Sequence, residues 1–185
     1  HIANNYWGIY LYLSRDNVIC HNNFIDNTWQ VWEDYHYEDN FWTFGYPSGG
    51  NFWSDYTGVD VKNGLGQSLL GSDGIGDTPY IIDADNVDWY PLVSPFATFD
   101  AGTWNGASYS VDMVSNSKVS NLQLNTTQRI ISFNVTGAEG LAGFCRVTIP
   151  NIIVQELWNS NYTILLNGEL WPFRNWTDTT NTYIY

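Results

Sequence analysis

The sequence predicts an all-β protein: the terminal coils of a parallel β-helix with an irregular cap, then a small antiparallel β-sandwich. Three observations predict it. A pattern of Asn, Trp, a β-branched residue and an aromatic, first met at Asn5, recurs at Asn27. A turn-rich, Asp/Gly-rich stretch follows it. Short alternating runs separated by turn residues then fill the rest of the chain. The expected boundary puts the coils and cap in residues 1–97 and the sandwich in residues 98–185.

The coils come first. Asn5-Tyr-Trp7-Gly-Ile9-Tyr10 aligns with Asn27-Thr-Trp29-Gln-Val31-Trp32, and with one residue of slack Asn17-Val-Ile19 aligns with Asn40-Phe-Trp42. A period near 22 with short β-rich runs is the length of one solenoid coil. Ile9–Leu13, Val18–Cys20 and Gln30–Trp32 read as strands. Asn5, Asn17, Asn22, Asn27 and Asn40 read as corners, because Asn tolerates the left-handed conformation and its amide bonds backbone groups. Fewer than two full coils are present, too few to hold a core unaided. The pattern starts abruptly at His1, so further coils or another subunit are expected to cover the first one.

Residues 43–97 lack strand or helix periodicity. Gly45–Tyr56 is turn-rich and aromatic, and Gly64–Asp88 is rich in Gly and Asp. The stretch reads as an ordered cap in which Tyr46, Phe52, Trp53 and Tyr56 plug the coil. Pro91–Phe96 reads as a short extended linker. From about Ala101 the pattern alternates: Ser110–Val114, Leu122–Leu124, Ile130–Val135, Phe144–Ile149 and Tyr162–Leu166 each read as a strand. Asn167-Gly168 marks a hairpin between Ile164–Leu166 and Leu170–Trp171. Strands at this spacing predict a small antiparallel sandwich.

Composition narrows the function classes. The chain has 185 residues, 17% aromatic and only 14% charged, which excludes a disordered chain. A net charge of −13 argues against nucleic acid and anionic membranes as partners and favours cations. Residues 1–97 hold 13 Asp/Glu against Arg15 and Lys62, whereas the remainder holds six against four. No apolar run is long enough to span a bilayer, and no leader peptide is visible. Four Asn-x-Ser/Thr sequons, at Asn125, Asn134, Asn161 and Asn175, point to an exported glycoprotein. Cys20 and Cys145 could form one bridge or remain two buried thiols.

Asn17-Val-Ile-x-x-Asn22-x-Phe24-x-x-Asn27 resembles a coil of the NosD-type right-handed parallel β-helix proteins. Tyr46–Gly58 is similar to the segment that closes such helices in many archaeal surface proteins, and Gly71–Tyr80, with Ile81–Asp83, Asn86–Asp88 and Tyr90–Leu92, extends the similarity. Ile131–Gly137 and Gly143–Pro150 resemble a β-sandwich domain often appended to these proteins. Family members carry many more coils, and the appended sandwich usually continues into one more strand. The resemblance implies a cell-surface, extracellular location and an archaeal source. It implies no catalysis, and the Met/His/Cys ligands that copper-site assembly requires are too few here.

The best candidate site is Asp73-Gly-Ile-Gly-Asp77. Calcium takes six to eight hard oxygens from carboxylates and carbonyls on a tight loop. Asp73 and Asp77, the Ile75 carbonyl, and Asp60, Asp83, Asp85 and Asp88 are the expected ligands. The alternative is a set of Asp/Gly turns whose carboxylates cap backbone amides. Asp16, Asp26, Glu33, Asp34, Glu38 and Asp39, with His21 and His36, are the residues a sugar-cleaving coil would use, but with two basic residues in the first 97 nothing would bind a uronate. The expectation is therefore a calcium-stabilised structural protein that self-associates through open β edges, as a homo-oligomer or filament and without catalysis. The alternative is a carbohydrate-binding or carbohydrate-active module.

Overall fold

The computed structural model describes residues 1–34 and 39–185. His36 and Glu38 lie outside the described residues. The protein is all-β, with several small sheets and no closed barrel. Among the described residues no helix is long and apolar enough to cross a membrane. The chain divides into two compact units, His1–Phe96 and Ala97–Tyr185.

The first unit starts with β1 (Ile2–Ala3), β2 (Trp7–Tyr12), β3 (Asn23–Ile25), β4 (Trp29–Asp34) and β5 (Phe52–Trp53). All pair in parallel. β1, β3 and β5 make one ladder, with Ile2 opposite Phe24 and Asn23 opposite Phe52. β2 and β4 make a second, with Trp7 opposite Trp29 and Tyr12 opposite Asp34. The sequence repeat is thus the register of the pairing. The second alignment, one residue longer, is used by an isolated parallel bridge from Val18 to Phe41. Gly8 sits where β4 passes so close that a Cβ would collide with the Gln30 carbonyl oxygen.

Alternation along these strands sends Ile9, Leu11 and Val31 inward, onto buried Phe24, Trp42 and Trp53. Phe24, Trp53 and Tyr80 form a column of rings with centroids 4.3 Å apart at each step. The Asn corners form ladders. Asn27 Oδ1 accepts the backbone and side-chain N–H of Asn5 at 3.0 and 3.1 Å. Asn40 serves Asn17 in the same way, and Asn51 serves Asn22. Residues 86 and 88 supply the next rung: Asn86 Oδ1 accepts the Asn40 amide, and an Asp88 carboxylate oxygen accepts the Asn51 amide.

The stretch after β5 adds antiparallel pairs of two-residue strands and isolated bridges. β6 (Lys62–Asn63) pairs with β7 (Leu69–Leu70), and β8 (Tyr80–Ile81) with β9 (Val87–Asp88). Leu92, inside the expected linker, bridges both Phe52 and Ile75 and is fully buried. It belongs to the core of the first unit.

β10 (Phe96–Trp104) begins on the last residue of the first unit and runs into the second, which also holds β11 (Ala107–Ser115), β12 (Lys118–Asn125), β13 (Ile130–Thr136), β14 (Cys145–Pro150), β15 (Leu165–Leu166), β16 (Glu169–Leu170), β17 (Asn175–Thr177) and β18 (Asn181–Ile184). β10-β11-β14-β18-β17 is a five-stranded sheet, and β12-β13 and β15-β16 are separate hairpins. Val119, Leu122, Leu124, Ile131 and Phe133 of the β12-β13 ribbon pack onto Ala101, Val111 and Met113 of the sheet. A π-helical turn, Ile153–Leu157, buries Ile153, Val154 and Leu157 against Ile149 and Ile184. Arg146 is buried on β14, with its guanidinium 5.8 Å from the Tyr183 ring centre.

Candidate functional site

Of the seven expected calcium ligands, the fold gathers Asp60, Asp73 and Asp77. Asp60 accepts the backbone amides of Asp73 and Gly74, one on each carboxylate oxygen, at 3.0 and 2.8 Å. Asp73 accepts the Ile75 amide and the Gln67 side-chain amide. Asp77 reaches back to the amides of Val61 and Lys62. Gly74 can adopt the positive φ of 85° that turns the loop around Asp60. Burial, joined by the charges of Asp73 and Asp77, pushes the Asp60 carboxyl up to about 6 despite its two amide bonds.

The remaining candidates lie elsewhere. Asp83 caps the amides of Asp85 and Asn86. Asp85 is exposed. Asp88 is fully buried and ends an Asn ladder, accepting from the Asn51 amide, the Trp53 indole and the Tyr90 amide at 2.7, 3.0 and 3.2 Å. A carboxylate suits this last rung because it accepts three donors and offers none upward. Desolvation raises its carboxyl to about 6. The Ile75 side chain is buried, and its backbone bridges Leu92. Among the described residues no group of three or more His, Cys, Asp or Glu forms a metal-binding set.

One polar atom stands out beside this loop. Gln67 is buried, and its amide nitrogen donates to Gly64 O and Asp73, yet among the described residues its Oε1 has no hydrogen-bond partner. An orphaned buried carbonyl oxygen is costly and is the type of hard oxygen a calcium ion takes. Sequence reading missed Gln67 because it carries no charge and belongs to no motif.

Two of the acids in this region accept hydrogen bonds from side chains. Glu33 is buried and accepts the Asn86 side chain at 2.8 Å, and Asp34 accepts the Tyr10 hydroxyl. His21 stacks on Phe96 at 4.2 Å, and its Nε2 lies 3.3 Å from the Ser48 carbonyl oxygen. Cys20 and Cys145 are both free thiols, raised by burial to about 12 and about 11.

Two exposed surfaces complete the inventory. Trp7, Tyr10, Trp29 and Trp32 are all more than one-third exposed on β2 and β4, with Trp32 5.4 Å from Trp29 and 6.4 Å from Trp7. Their repetition was legible in sequence, and the structure places them on the solvent side of β2 and β4. In the second unit the β15-β16 hairpin exposes Leu165 (58%), Leu166 (41%), Leu170 (75%) and Trp171 (55%). All four sequon asparagines are exposed.

No family model, curated protein or solved structure matches the chain.

Proposed function

We propose that the protein is an extracellular structural protein of the cell surface that self-associates through unpaired β edges. In this reading residues 1–97 are the closing coils and cap of a NosD-like parallel β-helix, and residues 98–185 are a small antiparallel β-sandwich. The observation that carries the reading is the β15-β16 hairpin. Its strands pair only with each other among the described residues, and its leucine and tryptophan side chains are exposed. A lone two-stranded hairpin is marginal in water. Adding it to a sheet edge satisfies its outer amides and covers its apolar side chains. The same unit carries such edges: among the described residues β13 pairs only with β12, with Ile130 and Val135 exposed along it. Residues 98–185 also hold six acidic against four basic residues, so like-charge repulsion is weakest there. A second copy supplies the complementary half, and contacts that do not close give filaments.

Sedimentation and negative-stain electron microscopy test the proposal. Oligomers or filaments should form at micromolar concentration, and the Leu165→Lys/Leu170→Lys double variant should sediment as a monomer with its melting temperature unchanged. A wild-type chain that stays monomeric at such concentrations defeats it.

Calcium is proposed to order residues 60–88. Asp60, Asp73 and Gln67 Oε1 would hold it, and the ion would neutralise carboxylates that burial and mutual repulsion otherwise disfavour. Calcium titrated into chelator-treated protein should raise Tm, and Gln67→Leu should abolish the rise while leaving the chain folded. No shift up to millimolar calcium removes this part.

The exposed rings on β2 and β4 favour a second reading, carbohydrate binding. Aromatic faces stack on the C–H faces of sugars, and Arg15 as the sole basic residue before Lys62 favours neutral sugars. A glycan array without hits eliminates it.

A further inference from the structure

We propose that Asn175 carries an N-linked glycan whose first sugar lies on the Phe173 and Tyr162 rings and covers the rim of the second unit's core. The inference rests on the exported placement proposed above, and goes beyond it by assigning one sequon a structural role.

Among the four sequons, Asn175 alone has an aromatic residue two positions before it. The equivalent residues are Gln123, Ser132 and Asn159 at the others and Phe173 here. In an extended chain that spacing matters, since residues i−2, i and i+2 share one face, about 7 Å apart at each step. The chain is extended here. Asn175 and Thr177 stand opposite Ile184 and Thr182 on β18, and Arg174 and Tyr185 exchange both backbone hydrogen bonds, which carries the ladder back to the residue after Phe173. Phe173, Asn175 and Thr177 therefore line one face, and an asparagine side chain plus one sugar ring spans the step between neighbours on it.

That face is the core face at its open edge. Its neighbours across the strand pair, Ile184 and Thr182, are buried. Tyr162 packs on the same cluster, with its ring 5.6 Å from Phe173 and 5.8 Å from Trp158. Asn175 Nδ2 donates to the Tyr162 hydroxyl at 2.7 Å, so the modified nitrogen is already held beside these rings. One of its two N–H groups makes that bond, and the other is available for substitution. Phe173 is 37% exposed and Asn175 is exposed, so an apolar ring and the attachment atom meet solvent together. The C–H face of a sugar carries partial positive charge and fits an aromatic face. The transfer needs an activated sugar donor, a lipid-phosphate-linked oligosaccharide. Its C1–O bond breaks, the phosphate leaves with the electron pair, Nδ2–C1 forms, and one amide proton is lost. Attachment at Asn175, outside the β15-β16 hairpin, leaves Leu165 and Leu170 uncovered for association.

The test uses the full chain with the other three sequons removed by Thr→Ala changes at Thr127, Thr136 and Thr163. It is expressed in a host that N-glycosylates such sequons, and glycopeptide mass spectrometry reads occupancy. The Thr177→Ser form keeps the sequon and should be occupied. It should melt about 4 °C above the unglycosylated Thr177→Ala form, the scale expected for one added contact in a unit this small. In the Phe173→Ala background, or in Phe173→Leu should the first fail to fold, that difference should shrink to about 1 °C or less. An unoccupied Asn175 overturns the proposal. So does an occupied Asn175 with no Tm difference, or a difference that survives loss of the Phe173 ring. Oligomeric state is read separately on Thr177→Ala, so failure of association and failure of this inference are distinguishable.

Discussion

The two units solve the problem of a β core with different chemistry. The first is held by polar rungs. Asn5/Asn27, Asn17/Asn40/Asn86 and Asn22/Asn51/Asp88 link successive levels through side-chain oxygens that accept amides from the level before. Its buried residues include Asn23, Gln30, Glu33, Asn51, Asp73, Asn86 and Asp88. The second unit buries Val111, Met113, Val114, Ile149, Ile153 and Ile184. The difference follows from topology. Parallel strands bring equivalent turns side by side, and the backbone groups of those turns must find partners from neighbouring side chains. Antiparallel hairpins satisfy their backbone within the ladder and leave the faces free for apolar packing.

The comparison is most severely tested at Trp53, which lies between Phe24 and Tyr80 and donates its indole N–H to Asp88. Trp53→Ala should destabilise the first unit by about 4 kcal/mol, measured by urea unfolding, because it opens a cavity and removes a rung contact together. A loss near 1 kcal/mol would mean that the ring column is not what holds the levels together.

Asn51 separates the two kinds of core more cleanly. Its side-chain amide donates to the carbonyls of Ile19 and Trp42, and its oxygen accepts two bonds from Asn22. Asn51→Leu should cost about 3 kcal/mol, since it leaves buried carbonyls and an amide unpaired. Met113→Leu, in the apolar core of the second unit, should cost less than about 1.5 kcal/mol. Equal costs in denaturant titrations would erase the distinction.

Proton linkage should also divide the units. The Asp88 carboxyl holds its proton to about 6 in the folded state, against 3.8 when unfolded. The folded state therefore binds more protons between those values, and stability falls as pH rises through that window, then levels off above it. The loss at Asp88 is on the order of 3 kcal/mol. Asp60 acts in the same direction in the same window, so Asp88→Asn should remove about half of the slope of Tm against pH. An unchanged slope would mean that Asp88 keeps its charge when buried.

The smallest effect is expected at the outermost rung. Asn27→Ala removes the acceptor of both Asn5 bonds at an exposed corner and should cost about 1 kcal/mol in the same unfolding assay.

Much of the local plan is readable in the residues. The shift of Trp7 onto Trp29 and of Val18 onto Phe41 is a pairing register, because parallel coils place equivalent residues opposite one another. Asn167-Gly168 forms the expected turn, with φ of 53° and 86°. Asn105-Gly106, with φ of 50° and 79°, is the same signal between β10 and β11. The first alternating run that reads as a strand, Ser110–Val114, lies after this turn, and so it reveals neither the turn nor β10. The π-helical turn at Ile153–Leu157 has no periodic pattern to announce it.

The candidate site is legible in composition and not in grouping. The sequence offers seven ligands between Asp60 and Asp88. The fold joins Asp60 to Asp73 and Asp77, and assigns Asp88 to the end of an Asn ladder, where it meets the distant Trp53. Spacing along a chain without periodic structure carries no direction, so it cannot say which carboxylates face one another. The sequence by itself determined the β class, the parallel register, the hairpin turns and the acidic bias of the first half, since each follows from local period or from residue type. Only tertiary structure decided which side of β2 and β4 the tryptophans take, which carboxylates meet, and that the leucines of β15 and β16 face solvent. Those outcomes depend on what packs against each strand, and a strand's own alternation is the same whichever face is covered.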